Sequence, residues 1–211
     1  MKNIDILFEN HDIIIFNKPA GLAVQGGAKV GISLDSLLTE NFKPRPLLVH
    51  RLDKDTSGII LVAKHKKSAR RFSFLFSSGK KSGIIKQYLG VCMGSPPNDS
   101  GNIQLNLEIN GKIKKSETAY KRLSGNHDFS LLELELGTGR MHQIRRHLSQ
   151  IGNPILGDDK YGDFALNKKF RLKRLLLHAS RLIISENASI KIDVEAPLPD
   201  YFIPFLAQGL N

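Results

Sequence analysis

A chain of 211 residues, 41% hydrophobic and 24% charged, has the composition of a globular protein with a sizeable core. Its formal charge of +11 points to a polyanionic partner, nucleic acid before anionic membrane. One cysteine, Cys92, excludes an intramolecular disulfide framework and most cysteine-based zinc sites, and fits a reducing compartment. No apolar run approaches the ~20 residues of a membrane span. The start, Met1-Lys2-Asn3-Ile4-Asp5, lacks the apolar core of a signal peptide. The expectation is a cytoplasmic protein without a membrane partner.

In chain order, residues 4–8 and 12–17 read as two strands of a hairpin around Glu9-Asn10-His11. Lys18-Pro19-Ala20-Gly21 breaks the second strand, and Gln25-Gly26-Gly27 is a further turn. Leu34, Leu37, Leu38 and Phe42 fall at helical spacing, so 33–42 is a helix, stopped by Lys43-Pro44-Arg45-Pro46. Apolar runs at 47–49 and 59–62 read as short buried strands around a charged turn. Residues 66–78 form an amphipathic helix, with Ala69, Phe72, Leu75 and Phe76 inward and Lys66, Lys67, Arg70 and Arg71 outward; Gly79 caps it.

A strand over 84–93 has Tyr88 at its middle. Ile103, Leu105, Leu107 and Ile109 alternate with polar residues, and Asn110-Gly111 is a hairpin turn. Strands over 118–123 and 129–136 complete an antiparallel meander. Gly137-Thr138-Gly139 then feeds a helix over 140–150, with Met141, Ile144, Leu148 and Ile151 as its buried side. Residues 157–162 are a loop, and five of the seven residues from 168 to 174 are basic. Strands over 175–184 and 190–194 and a short helix over 199–206 end the chain. Cys92 and Tyr120 read as packing residues. The whole is an α+β fold on a mixed, largely antiparallel central sheet with flanking helices.

Three clusters can carry chemistry. His50-Arg51-Leu52-Asp53 sets one carboxylate among cations; its bland alternative is an Asx-turn. Lys86-Gln87-Tyr88 places a hydroxyl on a strand, where a tyrosine is more often core. The segment from Gly139 to His147 packs five ionisable groups into a helix start, with His142 and Arg145 on one face; its alternative is a solvated basic face. His142 and His147 are off the spacing of a shared zinc face, and no phosphate-binding loop or serine elbow is present.

His50-Arg51-Leu52-Asp53 followed by Thr56-Ser57-Gly58 resembles the signature of the RluA-type pseudouridine synthases. Asn17-Lys18-Pro19-Ala20-Gly21, Lys86-Gln87-Tyr88-Leu89, the segment from Gly139 to Arg145 with His147, the segment from Gly152 to Asp158, and Leu177-His178-Ala179 resemble its other motifs, in order and spacing. Residues 23–27 and 159–163 look most like the RluC-like branch, which acts on large-subunit ribosomal RNA. Met141 stands where Thr or Ser is usual, and Arg146, where Val is usual, adds a candidate RNA contact. No S4 RNA-binding module precedes the motifs, so the natural protein is a catalytic domain alone or the chain is a fragment.

The resemblance implies a single catalytic domain over 1–211 with an active-site cleft between two half-sheets. It would be a monomer that turns uridine into its C-glycoside isomer without cofactor or metal. Asp53 would be the essential carboxylate, acting by addition to the base, attack at the anomeric carbon or proton abstraction; all three suit a carboxylate. Arg145 would pair with Asp53 and keep it ionised. Tyr88 would stack on the uracil and help remove the C5 proton. Arg51 would fill the gap left by the flipped nucleotide, for which a planar guanidinium suits. His50, Arg140, His142, Lys66, Lys67, Arg70, Arg71 and Arg174 would contact RNA, the basic ones through phosphates. The RNA is ribosomal, with transfer RNA as the alternative. A non-catalytic ribosome-assembly protein on the same fold would be marked by loss of Asp53, Tyr88 or Arg145, all present here. A metal-dependent hydrolase would need carboxylates at ligand spacing, and only Asp53 and Asp55 are close together in a basic setting.

Overall fold

The computed structural model describes residues 4–27, 31–79, 83–186 and 189–206. In chain order the elements are β1 (Ile6–Glu9), β2 (Ile13–Lys18), α1 (Leu34–Asn41), β3 (Leu47–Leu48), β4 (Ser57–Ala63) and α2 (Lys66–Ser77). Then come β5 (Ile84–Met93), β6 (Ser100–Ile109), β7 (Lys112–Gly125), β8 (Phe129–Leu136), α3 (Gln143–Gln150) and α4 (Phe164–Lys169). The chain closes with β9 (Leu177–Glu186), β10 (Ser189–Glu195), a 3-10 turn at Asp200–Phe202 and α5 (Ile203–Leu206). They fold as two compact units, one of Met1–Ile84 with Ala179–Pro197, the other of Ile85–His178 with Leu198–Asn211. None of the described helices is long and apolar enough to cross a membrane.

In the first unit the strand order is β1-β2-β4-β9, with β3 on β4 and β10 on β9. The pairs β1–β2, β2–β4, β3–β4 and β9–β10 are antiparallel. Ile13, Ile14 and Ile15 of β2 and Ile60, Leu61, Val62 and Ala63 of β4 are all buried. Consecutive buried residues need cover on both faces, which is why these strands read as unbroken apolar runs. In β10, Ile192 and Val194 are buried as their alternation predicts; the side chain of Ile190 lies outside the described residues. Ser33 caps α1 through a reciprocal pair of hydrogen bonds with Ser36. His65 caps α2 by accepting from Ser68 N–H, and Gly79, with φ +66°, follows its last turn. Gly58 has φ +103°, and a Cβ there would lie 2.2 Å from Ala179 O. Only glycine fits at that approach of β4 to β9.

In the second unit the meander runs β5-β8-β7-β6, antiparallel at β5–β8, β8–β7 and β7–β6. Ile103 and Leu107 of β6 are buried while Gln104, Asn106 and Glu108 are exposed, as the alternation predicts. Asn110 (φ 51°) and Gly111 (φ 71°) are both left-handed, the requirement of a two-residue hairpin turn of type I′. That turn passes the chain straight into β7, which therefore starts at Lys112 rather than 118. Val91, Phe129, Leu131, Leu156, Leu176, Phe202 and Phe205 form the core, with Phe129 and Phe205 edge to face at 5.2 Å. Cys92 and Tyr120 are buried, and the Tyr120 ring covers the place a Cβ on Gly101 would need. The sequence reading lacks α4, which has no buried residue and hence no apolar stripe. Asp163 caps it by accepting from Leu166 N–H.

His147 of α3 is fully buried, with Nε2 2.8 Å from Ser116 Oγ. The Ser116 hydroxyl donates to Leu105 O at 2.6 Å, so it accepts from the ring and Nε2 carries the proton. Nδ1 is then a buried lone pair without a partner among the described residues. Burial, with Arg146 beside it, pushes the imidazole down to about 4. An unfolded histidine titrates near 6.5, so between those values the unfolded chain binds the extra proton. This contribution to stability is complete above about pH 6.5 and drains as pH falls towards about 4, with about 2 kcal/mol lost by pH 5. Urea denaturation at neutral pH and at pH 5 reads the loss. His147→Gln should flatten it, and the same pH dependence in both proteins refutes it.

Candidate active site

The loop between β3 and β4 carries His50, Arg51 and Asp53. Because β3 and β4 pair, with Leu47 opposite Ala63, the loop leaves and re-enters one edge. Two side chains pin it. His50 Nε2 accepts from Leu61 N–H at 2.9 Å, and its ring stacks on Phe76 of α2 at 3.9 Å, 12° from parallel. Its proton therefore sits on Nδ1, and the ring has a structural task within the fold. At the other end, Lys18 Nζ donates to the carbonyls of Pro19, Leu22 and Lys54 at 2.9–3.0 Å, which uses all three ammonium donors. Gly21 N–H donates to the same Lys54 carbonyl. Lys18 is fully buried; burial pushes it down to about 8, against the pull of Asp55 and Asp53. Leu52 and Thr56 face inward, Asp53 is half-buried and Arg51 exposed. The strand-breaking Lys-Pro turn thus serves as the clamp of the Asp53 loop, a task the sequence reading did not give it.

In the second unit, α3 starts at Gln143, three residues later than expected. The Gln143 side chain explains the delay. Its oxygen accepts from Arg140 N–H and Thr138 Oγ1–H, and its nitrogen donates to Glu117 O and Thr118 Oγ1. These bonds hold 138–142 as a loop tied to β7. Met141, expected in the core, is 51% exposed there, and His142 takes a left-handed conformation (φ 51°) as N-cap. The alternative of a solvated basic face does not hold for Arg145, which is 4% exposed, or for His147, which is fully buried. Arg146 donates to Glu108 O of β6.

Arg145 makes a two-pronged contact with Asp158, Nε to Oδ2 and Nη2 to Oδ1, both 2.7 Å, and reaches Asp159 at 3.2 Å. Asp158 is fully buried and also accepts from Lys160 and Tyr161 N–H. Burial pushes its carboxyl up; the Arg145 and backbone hydrogen bonds outweigh that and hold it below the usual range. Tyr161 lies under the Arg145 guanidinium, 5.3 Å from the ring centre, and its hydroxyl meets His142 Nδ1 at 3.1 Å. His142, Arg145, Asp158 and Tyr161 thus form one polar cluster. Asp158 and Tyr161 carry no role in the sequence reading: a buried arginine requires a carboxylate, but the sequence marks neither Arg145 as buried nor Asp158 as its partner. Tyr88 is buried opposite Leu134. Two residues earlier on the same face of β5, Lys86 places Nζ 3.8 Å from where a Cβ on Gly139 would sit, and burial lowers its pKa.

Asp53 belongs to the first unit, Tyr88 and Arg145 to the second. Lys66, Lys67, Arg70 and Arg71 stand exposed on α2; Lys168, Lys169, Arg171, Lys173 and Arg174 are exposed in the second unit, and Arg140 is exposed at the start of α3. The donor atoms of His11, Asp12 and His65 lie within 4.8 Å of one another. Hydrogen bonds already join them: both imidazoles meet Asp12 Oδ1, holding its carboxyl below the usual range, while His65 Nδ1 caps α2. A metal on His65 Nε2 would need the proton on Nδ1 and so would break that cap.

A family model described as RNA pseudouridylate synthase matches residues 12–150. The chain is 39% identical over 217 residues to the ribosomal large subunit pseudouridine synthase C of Rickettsia felis, covering 93% of this chain and 68% of that protein. It is 36% identical to an uncharacterised RNA pseudouridine synthase of Zymomonas mobilis, covering 93% and 94% respectively. Among solved structures, human RNA pseudouridylate synthase domain containing 1 is similar with a TM-score of 0.78 and 27% identity, over 98% of this chain and 87% of that one.

Removing one member of a buried ion pair strands the other charge. Asp158→Ala should therefore cost about 3–5 kcal/mol in urea denaturation. A loss below about 1 kcal/mol, the size of an exposed pair, would show that Arg145 does not depend on Asp158.

Proposed function

The chain belongs to the RNA pseudouridylate synthase family, and on that premise we propose that it isomerises uridines of large-subunit ribosomal RNA, with Asp53, Tyr88 and Arg145 as its catalytic residues. The observation that carries the reading is the family match over residues 12–150, which takes in all three. The choice of ribosomal RNA rests on the 39% identity with the Rickettsia felis enzyme. The reading treats the chain as one catalytic domain, working as a monomer in the cytoplasm.

In the isomerisation the bond from uracil N1 to the ribose anomeric carbon breaks and a bond from C5 to that carbon forms. C5 loses a proton and N1 gains one, so the reaction is redox-neutral. Asp53 acts as nucleophile or base on the nucleotide, a role that asks for a carboxylate on a loop that does not move. The clamps of Lys18 and His50 supply that rigidity. Arg145, its plane fixed by Asp158, supplies oriented positive charge. Tyr88 stacks on the uracil and assists loss of the C5 proton. The target base must leave its stack to be reached, and exposed Arg51 fills the gap it leaves. His50, Arg140, His142, Lys66, Lys67, Arg70, Arg71 and Arg174 complete the proposed RNA contacts, where cations set affinity and salt dependence.

Ribosomal and transfer RNA from a strain lacking the protein, incubated with it and mapped for pseudouridine, tests the proposal. Wild type should add pseudouridine to large-subunit ribosomal RNA and Asp53→Asn none; equal signal removes Asp53 as catalyst, and signal confined to transfer RNA removes the substrate. Arg51→Ala should lose modification of structured RNA more than of a minimal loop. An equal loss on both argues against base flipping by Arg51.

A further inference from the structure

The outer face of α2 carries more than cations. Lys67, Arg70, Arg71 and Phe74 follow at i, i+3, i+4 and i+7, which puts them in one stripe along the helix. All four are exposed, Phe74 to 69%. The fold does not need Phe74, because Phe72 is the buried aromatic of α2 and Phe76 stacks on His50. A single exposed apolar residue is ordinary. An exposed ring at the end of a stripe of three cations is a different arrangement, since a base offers it a face and the phosphates offer the cations charge.

The charge of this face fits one class of partner. No Asp or Glu occurs within α2. Arg71 Nη1 lies 3.9 Å from Asp12 Oδ2, while among the described residues no carboxylate is within ion-pair reach of Lys66, Lys67 or Arg70. With a chain charge of +11, such a face repels a second copy of this chain and attracts a polyanion. The inner side of the same helix holds His50, at the start of the Asp53 loop, through the stack on Phe76. RNA seated on the outer face would thus be held by the element that braces that loop.

We propose that the outer face of α2 is an RNA-docking surface that takes an unpaired stretch of the substrate, with Phe74 stacked on a base and Lys67, Arg70 and Arg71 on its phosphates. This rests on the RNA-modifying reading above only in that the partner is RNA. Stacking is worth about 5- to 100-fold in affinity per base and is indifferent to salt, whereas each lost phosphate contact lowers the salt slope by about one.

The test is fluorescence anisotropy on the full chain with two RNAs of equal length, a hairpin with an unpaired flank and a fully paired duplex. Phe74→Ala should weaken binding of the flanked RNA about 5- to 100-fold at unchanged salt slope and leave the duplex within about twofold. Phe74→Tyr, which keeps the ring, should restore binding. Arg70→Ala should weaken both RNAs and lower the slope. Wild-type affinity in Phe74→Ala, or equal loss on both RNAs, overturns the proposal. So does sedimentation showing self-association that Phe74→Ala abolishes while RNA affinity stays put. Wild type that binds RNA but forms no pseudouridine counts against the catalytic reading and not against this one.

Discussion

The buried pair of Arg145 and Asp158 is the constraint on which the candidate site of the second unit depends. Taking two charges out of water costs several kcal/mol for each ion, and their attraction offsets this only when every remaining donor and acceptor is satisfied. Here Asp158 is satisfied twice over, by the two-pronged guanidinium and by the N–H groups of Lys160 and Tyr161. Well-packed apolar residues of the same volume would often serve stability as well or better. What apolar residues cannot do is fix the plane of a guanidinium and fold the 157–162 loop around it. Orientation is thus the better account of the pair than stability.

The first unit solves the same problem with different groups. Its loop has no regular structure of its own, so rigidity has to come from side chains that reach back into the sheet. Lys18 supplies it by closing three backbone carbonyls around one ammonium, and His50 by replacing a strand partner for Leu61 N–H. In both units a group that would be expensive to bury alone is buried with its full set of partners, and a loop is thereby held still.

Much of this was legible in the sequence, and the divide is physical. Elements were legible where one face is buried and the pattern is local: β6 and α2 lie where their periodicity put them, and the Asn110-Gly111 turn follows from local chemistry alone. The start of α3 was not legible, because Gln143 overrides it through bonds to β7, about twenty-five residues earlier. Asp158 was visible only as a letter in a loop, since nothing local says that a carboxylate is buried. His50 read as one cation among others, and only a packed Phe76 shows that its ring is part of the scaffold. α4 lacks any buried residue, so periodicity had nothing to report.

The division of the chain has a consequence for synthesis on the ribosome. The first unit needs Ala179–Pro197, and all of Ile85–His178 is made before that segment exists. Until then β4, whose interior is wholly apolar, lacks its neighbour β9, and the stretch of that edge not covered by β3 and His50 presents open peptide groups. Such an edge is a template for wrong pairing. At about 5–20 residues per second the exposure lasts on the order of ten seconds. The speed of elongation through the meander, more than the final stability of either unit, therefore sets how long the nascent amino-terminal half stays vulnerable.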